Sequence, residues 1–260
     1  MATAVLVSVA GFDPSGGAGV LLDLSVFRAR GFHGMAVLTG LTVQNTRGVL
    51  AVKPLPARFV LSQYRALAGD VRVAGVKVGM LASKANLGAA ARILDDASGS
   101  PRVVDPVLFS SSGAPLLARD AVPVFLRALR GRLSVLTPNI DEAARLAGLK
   151  IGSVKSMEAA ARRLAEMILA PCLIKGGDLR GEPVNVLFDG ARTRHYPSPR
   201  LPRRVHGTGC FFSSALLAAL AGGAGLDAAS RLATRLTHTA IRKARPVGRG
   251  RLLLDARRGG

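Results

Sequence analysis

The sequence has 260 residues, of which 49% are hydrophobic, so it is long enough and apolar enough to form one large α/β domain with a sizeable core. Its formal net charge of +20 comes mostly from arginine and is compatible with nucleic acid, an anionic membrane or phosphorylated small molecules as partners. Because the arginines are scattered and the chain has two Tyr, nine Phe and no Trp to stack on bases, the composition argues against nucleic-acid binding as the main function.

Short apolar runs typical of strands alternate along the chain with patterns typical of helices. The strand-like runs of the first half are AVLVSVA, GMAVLTGLTV, AGVKVGM and RVVDPV. Each of them precedes a helix-like stretch, in turn GVLLDLSVFRARG, ARFVLSQYRALAG, SKANLGAAARILDD and RDAVPVFLRALRG. The alternation continues with LSVLTPN, the helix-like IDEAARLAG and MEAAARRLAEMI, and the strand-like PCLIKGG.

In the last third of the chain the alternation of single strands and helices is replaced by a hairpin and two helices. VNVLFDG and RTRHYPS are separated by a glycine turn and predict a hairpin, and two helices follow over 208–222 and 226–245. The C-terminal GRGRLLLDARRGG predicts a strand or a tail. The whole pattern predicts a single α/β domain over residues 1–260, with a mostly parallel sheet covered by helices on both faces. In such folds ligands bind at the carboxyl ends of the strands.

The cysteines and the apolar segments bear on localisation. Cys172 and Cys210 are far apart and form neither a disulfide framework nor a metal-binding spacing, so we expect reduced thiols and a cytoplasmic protein. The apolar N-terminal residues lack a basic segment, so we expect no signal peptide. The uncharged run 210–226 is shorter than the roughly 20 residues that cross a bilayer. We expect a buried helix there and no membrane partner.

Two motifs follow strands in the first part of the chain. GFDPSGGAG, residues 11–19, has three glycines in four residues, which let a ligand approach the backbone at a helix N-terminus that attracts anions. It matches neither GxGxxG nor the P-loop, so an ordinary glycine turn stays an alternative. LTVQNTRG, residues 41–48, ends an apolar strand with amide and hydroxyl groups that suit either a polar heterocycle or the capping of a turn.

Charged and amide side chains end three later strands. Asp105 in VVDPV, with Asn139 and Glu142 in TPNIDEA, supplies oxygen ligands of the kind that magnesium takes alongside nucleotide phosphates. A capping box between Asn139 and Glu142 is the favoured alternative for that pair. Lys175 in CLIKGGD ends a strand beside a flexible loop, where it is placed to meet phosphate or to be solvated.

The stretch HGTGCFFSSA carries the strongest pattern. Gly207, Thr208 and Gly209 precede an apolar helix and provide a row of backbone N–H groups at its positive end, which can stabilise charge on a transferring phosphoryl group. Cys210 follows directly. The alternative is a glycine-rich helix entry with a buried structural thiol.

Taken together and in this order, the motifs resemble the ribokinase-like superfamily and, within it, the hydroxymethylpyrimidine kinase/phosphomethylpyrimidine kinase family. The matching segments lie between residues 10 and 215 and are AGFDPSGGAG, GMAVLTGLTVQNTRGV, VKVGML, VVDPV, TPNIDEA, IKGGD and HGTGCFFSSA. Phe12 and Asp178 depart from the family pattern, which more often has a small polar residue and a histidine there. The resemblance implies a three-layer α/β/α ribokinase-like fold and, in many members, a homodimer.

The family resemblance also implies a reaction. ATP would phosphorylate the hydroxymethyl oxygen of 4-amino-5-hydroxymethyl-2-methylpyrimidine and then the monophosphate, giving the diphosphate used in thiamine biosynthesis. Gln44 would hydrogen-bond the pyrimidine, in a pocket whose other lining residues are Gly11, Ala18, Asp23, Met80 and Val107. The similar motifs of pyridoxal kinases leave vitamin B6 phosphorylation as an alternative, and a basic nucleic-acid-binding protein on the same fold is another.

The resemblance assigns the remaining residues to phosphate chemistry. Asp105 and Glu142 would hold Mg²⁺ directly or through water, and Asn139 and Lys175 would contact phosphates. Gly207, Thr208, Gly209 and Cys210 would form the anion hole. We hypothesise that Cys210 is the base that accepts the proton of the substrate hydroxyl, with its pKa lowered by the helix N-terminus.

Overall fold

The computed structural model describes residues 4–109, 116 and 121–256, and nine strands of this part of the chain form one sheet. In chain order they are β1 Val5–Phe12, β2 His33–Asn45, β3 Gly48–Pro54, β4 Val73–Val78, β5 Arg102–Val104, β6 Val135–Leu136, β7 Cys172–Ile174, β8 Val184–Phe188 and β9 Thr193–Pro197. A separate parallel pair is formed by β10 (Val205–His206) and β11 (Leu252–Leu253).

Eight helices connect or follow these strands in the described residues. They are α1 Gly19–Ala29, α2 Ala57–Ala68, α3 Ala85–Asp96, α4 Val122–Leu129, α5 Ile140–Ala147, α6 Val154–Ile168, α7 Thr208–Ala221 and α8 Leu226–Lys243. Among the described residues no helix is both long and apolar enough to cross a membrane. Most of the uncharged run 210–226 lies in α7, whose positions 211–218 are all buried, as expected.

The strand order places a crevice next to β1. The sheet runs β3-β2-β1-β4-β5-β6-β7-β8-β9, with parallel pairing from β2 to β7 and antiparallel pairing of β3, β8 and β9. The chain moves from β1 outward to β2 and later returns to the other side of β1 with β4. The strand order therefore reverses at β1, which is the point where open α/β sheets bind ligands.

Helices cover both faces of the sheet because alternate strand residues point in opposite directions. Val5, Val7 and Val9 of β1 pack into a core with helices α2 to α6, whereas Leu6 packs on the other face with α1, α7 and α8. The predicted three-layer α/β/α architecture with a mostly parallel sheet is confirmed.

Two details differ from the prediction or lie beyond it. Strand β3 was not predicted, because most of its side chains are exposed or half-buried at the sheet edge and show no apolar alternation. The helix predicted over RDAVPVFLRALRG is observed as α4, Val122–Leu129. Residues 119 and 120, the first two of the predicted stretch, lie outside the described part of the chain.

Candidate active site

A cavity of about 930 Å³ lies at the carboxyl ends of the parallel strands, between the β1–α1 loop and the start of α7. This size is typical of small-molecule sites. With the exception of Asp23, each residue predicted to contact substrate, nucleotide or metal lines the cavity. Those predicted to surround the pyrimidine are Gly11, Ala18, Gln44, Met80 and Val107.

The loops from two strands bring Asp105 and Lys175 together. Asp105 follows β5 and Lys175 follows β7, and the Lys175 Nζ lies 2.5 Å from Asp105 Oδ1. Burial opposes the charge on Lys175, but the carboxylates of Asp105 and Glu142 outweigh it and raise the lysine pKa above its ordinary value. The lysine is therefore a fixed positive charge in the cavity wall.

The first residues of α7 meet the glycine loop of β1–α1. Gly207 has φ +81°, a left-handed conformation that favours glycine. A β-carbon at Gly207 would also overlap the carbonyl oxygen of Gly17, so both the conformation and the close approach require glycine. Helix α7 begins at Thr208, and its unpaired N–H groups carry the positive end of the helix dipole.

The same helix end lies against the Asp105–Lys175 pair. A β-carbon added at Gly209 would lie 3.0 Å from Lys175 Nζ and 3.5 Å from Asp105 Oδ2. The Ser213 hydroxyl donates to Asp105 Oδ2 at 3.2 Å. Helix N–H groups and an ammonium thus converge on one part of the cavity, which is the arrangement that binds phosphate groups.

Asn139 and Glu142 form the capping box that was the alternative reading of TPNIDEA. The Asn139 N–H donates to Glu142 Oε2 and the Glu142 N–H donates to Asn139 Oδ1, both at 2.8 Å. The box starts α5 and does not use the NH₂ group of Asn139. Structural and ligand roles are compatible here, since both residues also line the cavity.

The donor set fits a hard dication. Glu142 is 4% exposed, and burial together with the nearby Asp105 raises its pKa to about 7 despite the opposing charge of Lys175. Two carboxylates that repel each other at the cavity wall, beside the donors that suit phosphate, fit Mg²⁺, which binds through one or two carboxylates plus phosphate oxygens. The described residues contain no cluster of three or more His, Cys, Asp or Glu that could hold a metal by themselves.

The expected lowering of the Cys210 pKa is wrong. Burial of the thiol raises its pKa above the ordinary value, and the lowering by the Lys77 ammonium does not compensate. The carboxylates of Asp23 and Asp105 raise it further. The helix N-terminus thus does not by itself produce a thiolate.

Asp23 does not line the cavity as predicted. It is fully buried, and its carboxylate accepts from Lys77 Nζ at 2.7 and 2.8 Å. The Ser8 hydroxyl donates to it at 2.6 Å and the Ser214 hydroxyl at 2.8 Å. Sequence reasoning missed Lys77 because a lysine in the apolar strand AGVKVGM gives no sign of its partner.

Two further cavity residues, Asp13 and His206, were present in the quoted motifs but not singled out. Asp13 Oδ2 and the Gln44 side-chain nitrogen each lie 2.9 Å from Nε2 of His206. The glycine loop, the end of β2 and the strand β10 are therefore joined through side chains at the predicted pyrimidine end of the cavity.

Comparison with known proteins agrees with this geometry. The family model "Phosphomethylpyrimidine kinase" matches residues 13–255. A thiamine biosynthesis bifunctional protein of Geobacter sulfurreducens is 44% identical over 94% of this chain, which spans 50% of that protein's length. A hydroxymethylpyrimidine/phosphomethylpyrimidine kinase of Streptomyces coelicolor is 39% identical over 95% of this chain and 91% of its own.

A solved structure is similar throughout. Staphylococcus aureus pyridoxal kinase in complex with AMP-PCP and pyridoxal has a TM-score of 0.90 and 25% identity, over 99% of this chain and 95% of that one. The ribokinase-like fold that the motifs predicted is thereby confirmed. The extent of the family match and the identities to curated kinases show that the chain is a kinase and belongs to the phosphomethylpyrimidine kinase family.

Proposed function

We propose that the protein transfers the γ-phosphoryl group of ATP to the hydroxymethyl oxygen of 4-amino-5-hydroxymethyl-2-methylpyrimidine and then to the resulting monophosphate. The convergence of Lys175, Asp105 and the α7 N-terminus on one side of a cavity whose other side presents Gln44 carries the proposal. The Streptomyces coelicolor relative, similar over nearly its whole length, has this activity in its name. The diphosphate product would serve thiamine biosynthesis.

The proposed reaction is an in-line displacement. The substrate hydroxyl oxygen forms a bond to the γ-phosphorus while the bond from that phosphorus to the β,γ-bridging oxygen breaks, so that ADP leaves. Cys210 takes the hydroxyl proton. Lys175, Asn139 and the N–H groups of Gly207 to Cys210 stabilise the charge on the transferring oxygens. Asp105 and Glu142 would hold Mg²⁺, which would further neutralise the phosphate charge.

ATP is the phosphoryl donor in this proposal because the Staphylococcus aureus neighbour was solved with AMP-PCP. The cavity is also basic in a way that suits phosphorylated ligands. Besides Lys175, five arginines line it: Arg145, Arg200, Arg203, Arg204 and Arg251. Positive charge around a cleft raises the rate of capture of anions. The arginine content thus has a role without nucleic acid, and we expect no nucleic-acid partner.

Pyridoxal phosphorylation is the second candidate, favoured by the TM-score of 0.90 to a pyridoxal kinase. The identity to that enzyme is 25%, against 39% to the Streptomyces coelicolor pyrimidine kinase. Coupled ADP release with hydroxymethylpyrimidine, its monophosphate and pyridoxal offered in turn decides between the two. We expect turnover of both pyrimidines; strict preference for pyridoxal would replace the first proposal by the second.

We further propose a homodimer, a cytoplasmic location and one kinase domain over residues 1–260. The edge hairpin β2–β3 exposes Val43 by 58% and Leu50 by 76%, an apolar surface that a second copy would cover. Light scattering after size exclusion measures the mass, and a monomer would contradict the dimer.

Cys172 and Cys210 are both free thiols, which suits a reducing compartment. The nine-stranded sheet from Val5 to Pro197 supports one domain.

A further inference from the structure

Two side chains contact the same ring nitrogen of His206 at the pyrimidine end of the cavity. Gln44 Nε2 and Asp13 Oδ2 each lie 2.9 Å from the same atom, Nε2 of His206. An imidazole nitrogen either donates its proton or accepts through its lone pair, but not both. The partners of His206 therefore determine which atom Gln44 presents to the cavity.

Asp13 determines that Nε2 of His206 is protonated. Its Oδ1 accepts from the N–H and the hydroxyl of Ser15 at 2.9 and 2.7 Å, and the side chain is 3% exposed. Burial alone would raise the pKa of Asp13, but the hydrogen bonds from His206 and Ser15 outweigh it and lower the pKa. Asp13 is thus an ionised carboxylate that can only accept, so Nε2 of His206 carries a proton directed at it.

An amide nitrogen cannot donate to a nitrogen that is itself a donor. Gln44 meets the His206 proton only with its carbonyl oxygen, which a rotation of the amide by 180° brings to that position. The rotation also satisfies Thr42, whose Oγ1 has one proton to donate and lies 3.0 Å from the Phe12 carbonyl oxygen and 3.1 Å from the other amide atom of Gln44. Thr42 then donates to Phe12 and accepts from the Gln44 nitrogen.

We propose that Asp13 and His206 are positioning residues that hold the Gln44 amide with its nitrogen toward the cavity, so that the pocket selects a ring presenting a hydrogen-bond acceptor. One N–H of Gln44 is bonded to Thr42 and the second serves the ligand. The ring nitrogens of a neutral 4-aminopyrimidine are acceptors of this kind. The inference rests on the proposed function and states which atom of Gln44 the ring would meet.

The first test separates positioning from a general structural effect. Removing the His206 proton with His206→Leu should raise the KM for hydroxymethylpyrimidine about tenfold, the effect of roughly one hydrogen bond, while the KM for ATP stays within about twofold. His206→Gln places an N–H near the original Nε2 position and should recover most of the affinity. His195→Leu is the matched control, since His195 also contacts a carboxylate, Glu158 Oε1 at 2.7 Å, and does not line the cavity.

The second test asks whether Gln44 donates. A glutamate at this position cannot donate when ionised, so Gln44→Glu should raise the pyrimidine KM at least as much as Gln44→Leu. Retained affinity in Gln44→Glu would overturn the inference, because it would mean that the ligand donates to the Gln44 oxygen. Gln44 is half-buried on an edge hairpin, so these variants decide the matter if His206→Leu does not fold.

The two proposals fail in different ways. A wild-type protein without pyrimidine turnover overturns the proposed function and this inference with it. An active wild type whose His206→Leu variant keeps its pyrimidine KM overturns the inference alone. Equal increases in the KM for pyrimidine and ATP would also overturn it, since they indicate a structural effect on the whole cavity.

Discussion

The ammonium of Lys175 donates to the carboxylate of Asp105 across the carboxyl ends of β7 and β5, with Nζ 2.5 Å from Oδ1. Asp105 thereby holds the Lys175 ammonium beside the N-terminus of α7. A phosphate that arrives there meets a lysine already oriented, which lowers the cost of ordering it.

Replacing Lys175 with glutamine should therefore reduce kcat/KM for ATP by about 100-fold or more, as the loss of one charged donor at a transferring group does. Initial rates measured against ATP concentration check this. Lys155→Gln, an exposed residue of α6, is the matched control and should be unchanged. Because Lys175→Gln leaves Asp105 buried without its cation, the rates are compared below the melting temperature of the variant. An undiminished kcat/KM would contradict a phosphate role for Lys175.

The raised pKa of Cys210 predicts an alkaline pH profile. A base acts only when deprotonated, and burial holds the thiol pKa above its ordinary value, so the thiolate fraction is small at pH 7. We expect kcat to continue rising above pH about 8.5, where an ordinary thiol is half ionised. Stopped assays of ADP release from pH 6.5 to 10 give the profile. A plateau already reached at pH 7 would contradict the assignment.

Substitution at Cys210 provides the complementary measurement. Cys210→Ala should lower kcat far more than it raises the KM for ATP, because the thiol takes a proton and does not hold the nucleotide. Cys172→Ala is the control, since Cys172 is buried in β7 and does not line the cavity. Near-native kcat in Cys210→Ala would leave positioning and charge stabilisation as the sole source of rate.

Glu142→Gln should separate the helix cap from the metal site. Glutamine can accept the N–H of Asn139 as glutamate does, so α5 keeps its capping box. The loss of negative charge should raise the Mg²⁺ concentration required for half-maximal activity. Glu166→Gln, an exposed acid of α6, controls for net charge. Unchanged Mg²⁺ dependence would remove Glu142 from the proposed site.

The free energy of unfolding of Glu142→Gln should depend on pH differently from that of the wild type. The folded pKa of Glu142 is about 7, above the ordinary 4.5, so the folded state binds more protons than the unfolded state between those values. The free energy of unfolding of the wild type should then fall from pH 5 to pH 7 relative to that of Glu142→Gln, which has no proton to lose. Urea unfolding of both proteins at these two pH values measures the difference.

The parts of this site that the sequence predicted are those tied to strand ends. Asp105 and Lys175 follow apolar strands, and parallel strands place such residues at one edge of the sheet whatever their separation in the chain. Asp23 was misplaced because a helix pattern tells which turn a residue occupies but not which buried cation it faces. The contact of His206 with Gln44 requires β10 to lie beside the end of β2, and no local sequence pattern predicts that the two strands meet. Strand β3 lacked the buried alternation that marks inner strands.

The buried pair of Asp23 and Lys77 joins the elements that surround the reaction centre. Asp23 lies in α1, Lys77 in β4, and the two serines that donate to Asp23 lie in β1 and α7. Ser214 is one helical turn after Cys210, so the carboxylate fixes the beginning of α7 against the sheet. Lys77 also lowers the pKa of Cys210, which places its charge near the thiol.

Removing one partner of this pair should destabilise the protein strongly, by about 3–5 kcal/mol, because an uncompensated charge remains buried. The double variant Asp23→Asn with Lys77→Met leaves no charged group at either position and should recover most of that loss, since neutral replacements of buried pairs are often tolerated. If the pair serves only stability, the refolded double variant should also recover kcat. We expect kcat to remain below that of the wild type, with the KM for ATP within about twofold, because the lowering of the Cys210 pKa by Lys77 is larger than the raising by Asp23 and the double variant loses both. Tyr64→Phe, which removes a hydrogen bond to Asp96 remote from the cavity, should lose stability without this effect on kcat.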